Sequence, residues 1–309
     1  MRAFIHHIRL FIISCSVVYI LCIVAIGLIS KNGLGKNFVF PIGNYGHTML
    51  RLNEAKKSGP VDILVLGSSH AYRGFDPRIF KNHQLNIFNL GLSSETPLQS
   101  YFLLKKYYDQ LQPKVVIQEI YPLLLENDGT ENNSFLLANE PIDWDLTHLA
   151  FSHFNMQNIN AWIYGSFRTL FKLNDELNLP VKYGEDTYVS GGYSQKDEIP
   201  FDTSKTLIAR EYQPLAEQLA ALDSIQRFCQ SKSCSLYFVI TPVTSIEKHH
   251  ILNWSRIVQQ IENIHPIHDF SRLPTLDDTL HFYDTDHLNQ RGVEIFNPIL
   301  INEIFVQPN

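Results

Sequence analysis

Five short apolar runs, separated by stretches of helical periodicity, limit the folds open to this chain. They are "VDILVLG" (61–67), "LNIFNLG" (85–91), "KVVIQEI" (114–120), "SLYFVIT" (235–241) and the weaker "PIHDF" (266–270). They are continuous rather than strictly alternating, as expected of strands covered on both faces, and such strands belong to parallel sheets. Helix patterns lie between and after them. "PLQSYFLLKKYYDQLQ" opens with Pro97 at a first helical position. "TSKTLIAREYQPLAEQLAALDSIQRFCQSK" carries a kink signal at Pro214, and "SIEKHHILNWSRIVQQIENI" and "HLNQRGVEIFNPILINEIF" complete the set. Strands alternating with helices, joined by right-handed crossovers, predict an α/β protein: a three-layer α/β/α sandwich around a mostly parallel five-stranded sheet.

Two segments fall outside that rhythm. From Leu10 to Ser30 the chain reads "LFIISCSVVYILCIVAIGLIS", with no charge between Arg9 and Lys31. That run is long enough for a helix to cross a bilayer. Ile26, Leu28 and Ile29 occupy the place where a cleavable signal needs small residues, so an uncleaved anchor is expected over residues 1–31. Arg2 and Arg9 before it and Lys31 and Lys36 after it give a weak charge bias. The short N-terminal tail favours an extracytoplasmic domain beyond a linker and lead-in segment, 32–60. The second segment separates the third and fourth strands by over a hundred residues, more than a crossover requires. Residues 123–202 are read as an insertion forming a cap near the site, within a domain of 61–309. Its Trp144 and Trp162 are expected in core packing, with stacking on sugars as the functional alternative.

Composition excludes one class of function. The 309 residues carry a formal net charge of −6 and no basic block, which argues against nucleic acid as a partner. Cys15 and Cys22 lie in the apolar run; Cys229 and Cys234, in "FCQSKSCSLYFV", are either a bridge across a short loop or two free thiols.

In an open parallel sheet, ligands bind beyond the carboxyl ends of the strands. Ser68, Ser69 and His70 follow the first strand, Gly91, Ser93 and Ser94 the second, and Glu119 and Tyr121 end the third. A serine needs a base, and the base needs a group that fixes its tautomer. "HFYDTDHLNQRG" offers both: Asp284 and His287 stand three apart at the start of the last helix. A metal cluster of His281, Asp284, Asp286 and His287 is the competing reading, but it leaves the serines unexplained, and no metal or cofactor is expected. His249 and His250 read as surface helix residues.

"LGSSHA", "NLGLSS" and "DTDHLNQRG", in that order, resemble the blocks of the SGNH, or GDSL-like, hydrolase superfamily, whose sheet is flavodoxin-like. The resemblance covers about 60–120 and 205–305. It implies Ser69 as nucleophile, with Ser68 where many members have Asp, His287 as base, Asp284 as its orienter, and the backbone amides of Ser69 and Gly91 as oxyanion donors. Ser68, His70, Glu119 and Tyr121 would then face substrate. The asparagine of the family's third block is replaced by "QEIYP". The chain looks most like the membrane-anchored branch that includes the alginate O-acetylation proteins and the D-alanyl transfer protein of teichoic-acid modification. That branch implies a polysaccharide or glycan substrate, a membrane-bound acyl donor protein, a lipid bilayer around residues 10–30, and an esterase or O-acyltransferase activity. A catalytically degenerate scaffold in a polysaccharide-modifying complex is the alternative.

Overall fold

The computed structural model describes residues 1–29, 42–43, 46–152, 155–174, 179–196, 201 and 206–306; Lys31 and Lys36 lie outside the described residues. The strands are β1 Ile63–Leu66, β2 Ile87–Asn89, β3 Val115–Glu119, β4 Lys182–Tyr183, β5 Asp186–Val189, β6 Tyr193–Lys196, β7 Ser235–Ile240 and β8 Ile267–Asp269. The helices are α1 Arg2–Ile29, α2 Thr48–Ala55, α3 Ser69–Gly74, α4 Pro77–Asn82, α5 Pro97–Leu111, α6 Thr130–Asn139, α7 Trp144–Ser152, α8 Met156–Leu170, α9 Ala216–Ser231, α10 Ser245–His250, α11 Trp254–Glu262 and α12 Gln290–Phe305.

The main sheet has five strands in the order β2-β1-β3-β7-β8, with every pairing parallel. Each strand lies inside one of the apolar runs. Side chains of a strand alternate between faces, and both faces of β1 are covered. Ile63 and Val65 pack with Ile117 and Val239 against Ala71 of α3 and Phe75 just after it, Phe80 of α4, and Phe296 and Leu300 of α12. On the other side, α5 and α9 pack on each other and on β1 and β7. No residue of β1 is more than 1% exposed, which explains the unbroken apolar run. Each such side chain contributes about 1.5–3 kcal/mol of transfer free energy. The predicted α/β/α sandwich is therefore the observed fold.

Tertiary contacts reshape three helix patterns. The stretch 245–264 forms two helices rather than one, because Asn253 turns its side chain to the Tyr212 backbone, accepting its N–H at 3.0 Å and donating to its carbonyl at 2.7 Å. Pro214 precedes α9 instead of kinking it. His250, expected at the surface, is buried with its Nε2 2.6 Å from the Tyr212 hydroxyl. Cys229 and Cys234 are both unbridged, and the hydrogen bond with Cys234, with burial behind it, pushes the Cys229 thiol up.

The chain divides into two compact units. One comprises Met1–Asn44 with Asn133–Asn178, and so joins α1 to α7, α8 and most of α6. Here α1 is long and apolar enough to cross a membrane. The other comprises Tyr45–Asn132 with Leu179–Asn309 and contains the parallel sheet. The insertion over 123–202 is thus shared. Its second part forms a three-stranded antiparallel sheet, β4-β5-β6, in the same unit as the parallel sheet. Gly191 and Gly192 close the β5–β6 turn with φ of 93° and 89°. The Asn89 N–H at the end of β2 donates to the Gly191 carbonyl at 2.8 Å. A Cβ on Gly192 would stand 1.8 Å from the Asn89 carbonyl oxygen, so no larger residue fits that approach.

Candidate active site

The site begins at the turn from β1 into α3. Gly67 adopts φ 134°, a conformation that favours glycine, and a Cβ there would sit 2.5 Å from a Glu119 carboxylate oxygen. That clearance lets the next residue bond to Glu119: the Ser68 N–H donates to Oε2 at 2.7 Å and the Ser68 hydroxyl at 2.8 Å. Ser68 also caps α3, its Oγ accepting the His70 N–H at 3.2 Å. Capping and the Glu119 bonds leave it 1% exposed, whereas Ser69, the first helical residue, is half-buried. The fold thus gives the two serines different tasks: one fixes the turn and the other projects its hydroxyl.

Ser69 Oγ lies 2.7 Å from His287 Nε2, across 218 residues of sequence. His287 precedes α12 on a tight turn built around Asp284. One Asp284 oxygen accepts the Asp286 N–H at 3.1 Å and the His287 N–H at 2.8 Å, while the two oxygens stand 3.1 and 3.0 Å from Nδ1. Nδ1 therefore carries the proton toward the carboxylate, and Nε2 is left to accept the Ser69 hydroxyl. The structure brings Ser69, Asp284 and His287 within hydrogen-bond distance of one another in a chain, Ser69 to His287 to Asp284.

A second carboxylate changes the electrostatics. Asp286 Oδ1 lies 3.3 Å from His287 Nδ1, and Oδ2 lies 3.5 Å from His70 Nε2. Burial alone would lower the His287 pKa, but the charges of Asp286 and Asp284 outweigh it and hold it well above the usual histidine range. Burial and the neighbouring His287 charge drive His70 the other way, down to about 4. Two stacked imidazoles, 4.5 Å between centroids, are thus shifted in opposite directions, His287 upward and His70 downward.

Ser68, His70 and Glu119, expected to face substrate, are instead at most 4% exposed and form a support behind Ser69. Desolvation pushes the Glu119 carboxyl up to about 7, against the pull of its two Ser68 bonds. Tyr121 is half-buried, its ring 4.1 Å from that of His70 and its hydroxyl bonded to Glu247. Burial raises Glu247 to about 7 as well. The Gly91 N–H donates to Asn89 Oδ1 at 3.2 Å, so this expected oxyanion donor is already engaged. A Cβ at Gly91 would lie 2.7 Å from Ala71 Cβ, which gives the glycine a packing role. Ser69 N–H, by contrast, is the first amide of a helix and has no intrahelical acceptor.

Sequence reasoning missed Tyr283 and Arg73. The Tyr283 ring stacks on His287 at 5.5 Å. Arg73 lies over that ring at 5.4 Å and makes paired bonds of 2.7 and 2.8 Å to Asp186 of β5. Lys196 of β6 also approaches Tyr283, at 5.0 Å. These contacts make the antiparallel sheet a wall of the site. The competing metal cluster is not assembled as proposed. His281 is half-buried and accepts the Asp277 N–H at 2.7 Å; His70 takes its place, with one ligand atom each from His70, Asp286 and His287 within 4.8 Å.

The strand order and the placement of the site beyond the strand ends define a flavodoxin-like α/β protein. No family model and no curated protein matches the chain. Among solved structures, one described as a "putative acylhydrolase" from Bacteroides fragilis NCTC 9343 is 11% identical, with a TM-score of 0.40, covering 84% of this chain and 98% of that one. A gut microbial diltiazem-metabolizing enzyme is 12% identical, with a TM-score of 0.26, covering 80% of this chain and 48% of that one. Likeness at this level carries no functional argument.

Proposed function

We propose that the chain is a serine esterase or O-acyltransferase, anchored in a membrane by α1 with its sheet domain outside the cytoplasm. One observation carries the chemistry: the Ser69 hydroxyl sits 2.7 Å from a histidine whose other ring nitrogen is fixed by a carboxylate. In the first step Ser69 Oγ forms a bond to the ester carbonyl carbon while its proton passes to His287 Nε2. The carbonyl oxygen becomes an oxyanion beside the Ser69 amide. The tetrahedral intermediate expels the alcohol, which takes the proton from His287, and acyl-Ser69 remains. A second hydroxyl, of water or of a glycan, repeats the sequence and releases serine. Asp284 holds the imidazole in the tautomer both half-reactions need.

The acceptor we favour is a hydroxyl-bearing cell-envelope or exported polysaccharide, with the acyl group delivered by a membrane-bound donor protein. That choice follows from the motif resemblance and from an anchor that would keep the domain at an envelope surface. Two observations favour a second reading, a degenerate scaffold: the Gly91 amide is engaged by Asn89, and "QEIYP" stands where the family has an asparagine. Removal of one oxyanion donor costs about 10²–10³ in rate.

Full-length protein in detergent, assayed with p-nitrophenyl acetate, separates the two. Saturable release of nitrophenolate above the buffer rate is expected. Absence of turnover across neutral and alkaline pH would contradict the esterase reading and leave the scaffold.

A further inference from the structure

Trp144, expected in a core, is 85% exposed, and Phe151, Met156, Leu170 and Phe171 are each about half or more exposed. These residues crowd the α7–α8 part of the unit that also holds α1. Within that unit α8 lies along the last turns of α1. Tyr19 Oη bonds Asn160, Ile23 is buried against Tyr164, and Gly27 is small enough for the Tyr164 ring to lie against it. Ile163 and Phe167 extend the same contact, and Phe171 continues their row one turn further, its ring 4.7 Å from Phe167. Residues 2–18 of α1 are exposed all round, whereas Tyr19, Ile23, Ile26 and Gly27 are covered on one face by α8.

We infer that α7 and α8 are a membrane-docking element, with Trp144, Leu170 and Phe171 seated at the headgroup–acyl boundary of the outer leaflet. The inference rests on reading α1 as a membrane span. A helix rises 1.5 Å per residue and the hydrocarbon core is about 30 Å thick. The stretch from Tyr19 to Gly27 therefore runs through the outer part of the bilayer, and a helix packed against it is brought to lipid. α8 is not itself a span: Asn158, Asn160 and Arg168 are buried in it. Its polar inner face and apolar outer residues suit an interfacial position, where an exposed tryptophan is favoured over one in water. The bilayer is thus the occupant of this apolar surface, which is continuous with the α1–α8 contact. The helical part of the insertion sets the depth and orientation of the anchor, a task separate from catalysis.

Brominated lipids quench tryptophan by contact, and the chain has three tryptophans. Full-length protein reconstituted in vesicles of dibrominated phosphatidylcholine should lose fluorescence relative to ordinary phosphatidylcholine, and W144F should remove most of that loss. A ring at the boundary, ~5–10 Å deep, should lose about half of its intensity. In the W144F background, Phe171→Trp should restore the quenching, while Leu252→Trp, an exposed position of the other unit, serves as the water-facing reference. Val17→Trp reports on α1. Quenching at Val17→Trp, with Trp144 and Phe171→Trp no more quenched than Leu252→Trp, would overturn the docking inference alone. A Val17→Trp that is not quenched would overturn it together with the anchor. Ester turnover is not part of the readout, so loss of the catalytic reading leaves the result intact.

Discussion

Ser69→Ala is expected to reduce ester turnover by about 10⁴–10⁶-fold, the loss seen when a nucleophile acting with its base is removed. Stability should change by less than ~1 kcal/mol, because the side chain is half-buried and its bond is to His287. Ser68→Ala should behave in the opposite manner. Its hydroxyl is buried, caps α3 and bonds Glu119, so its loss should cost about 1 kcal/mol of stability while turnover remains well above that of Ser69→Ala. Thermal melts with initial rates on both variants check this pairing. Equal rate losses would mean that the register of the two serines is mistaken.

The next largest effect concerns the two carboxylates at His287. Asp284→Asn should lower turnover by about 10³–10⁴-fold, since an amide in that place no longer fixes the Nδ1–H tautomer. Asp286→Asn should instead move the pH profile. The groups facing the His287 ring are Asp284, Asp286, Ser69, His70 and Tyr283. With both carboxylates in place, the imidazole pKa is raised, and the base form needed for attack appears only as pH rises through that value. The acid limb of kcat/KM should thus lie above the ordinary histidine value of about 6.5. In Asp286→Asn it should shift to lower pH, with a smaller change on the alkaline plateau. The stability consequence has a definite sign. Because the folded pKa exceeds the unfolded one, the stabilisation from His287 is complete below the unfolded value and is lost as pH rises through the folded value. The protein gains catalytic base over the same range in which it loses this stabilisation. Rate profiles and melts of the three proteins over pH test both statements.

The fold was legible because parallel strands covered on both faces leave continuous apolar runs; all five runs contain a strand of the main sheet. The approach of Ser69 to His287 was legible because each end carried its own signal, hydroxyls after a strand and Asp284 three residues before a histidine. What sequence could not convey was depth. "SSH" reads as three polar residues at a tip, yet Gly67 turns the first of them inward onto Glu119 and helix geometry buries the third. Whether a polar residue faces substrate or supports its neighbour is decided by such tertiary contacts, as it was for His70 and Glu119. Tyr283 and Arg73 left no local signal, since their meaning depends on Asp186 and Lys196 from a distant hairpin. Trp144 misled in the opposite sense: a tryptophan in a helical stretch reads as core, and only its exposure within the unit that also holds α1 shows otherwise.

Covalent trapping tests most directly whether Ser69 is the nucleophile. Full-length protein is incubated with a fluorophosphonate at a pH above the His287 transition, and the adduct is located by peptide mass mapping. One adduct per chain is expected, on Ser69, abolished by Ser69→Ala and by unfolding before exposure to the reagent. An adduct on Ser68, or a folded protein that takes up no reagent while Ser69 and His287 remain in place, would contradict it.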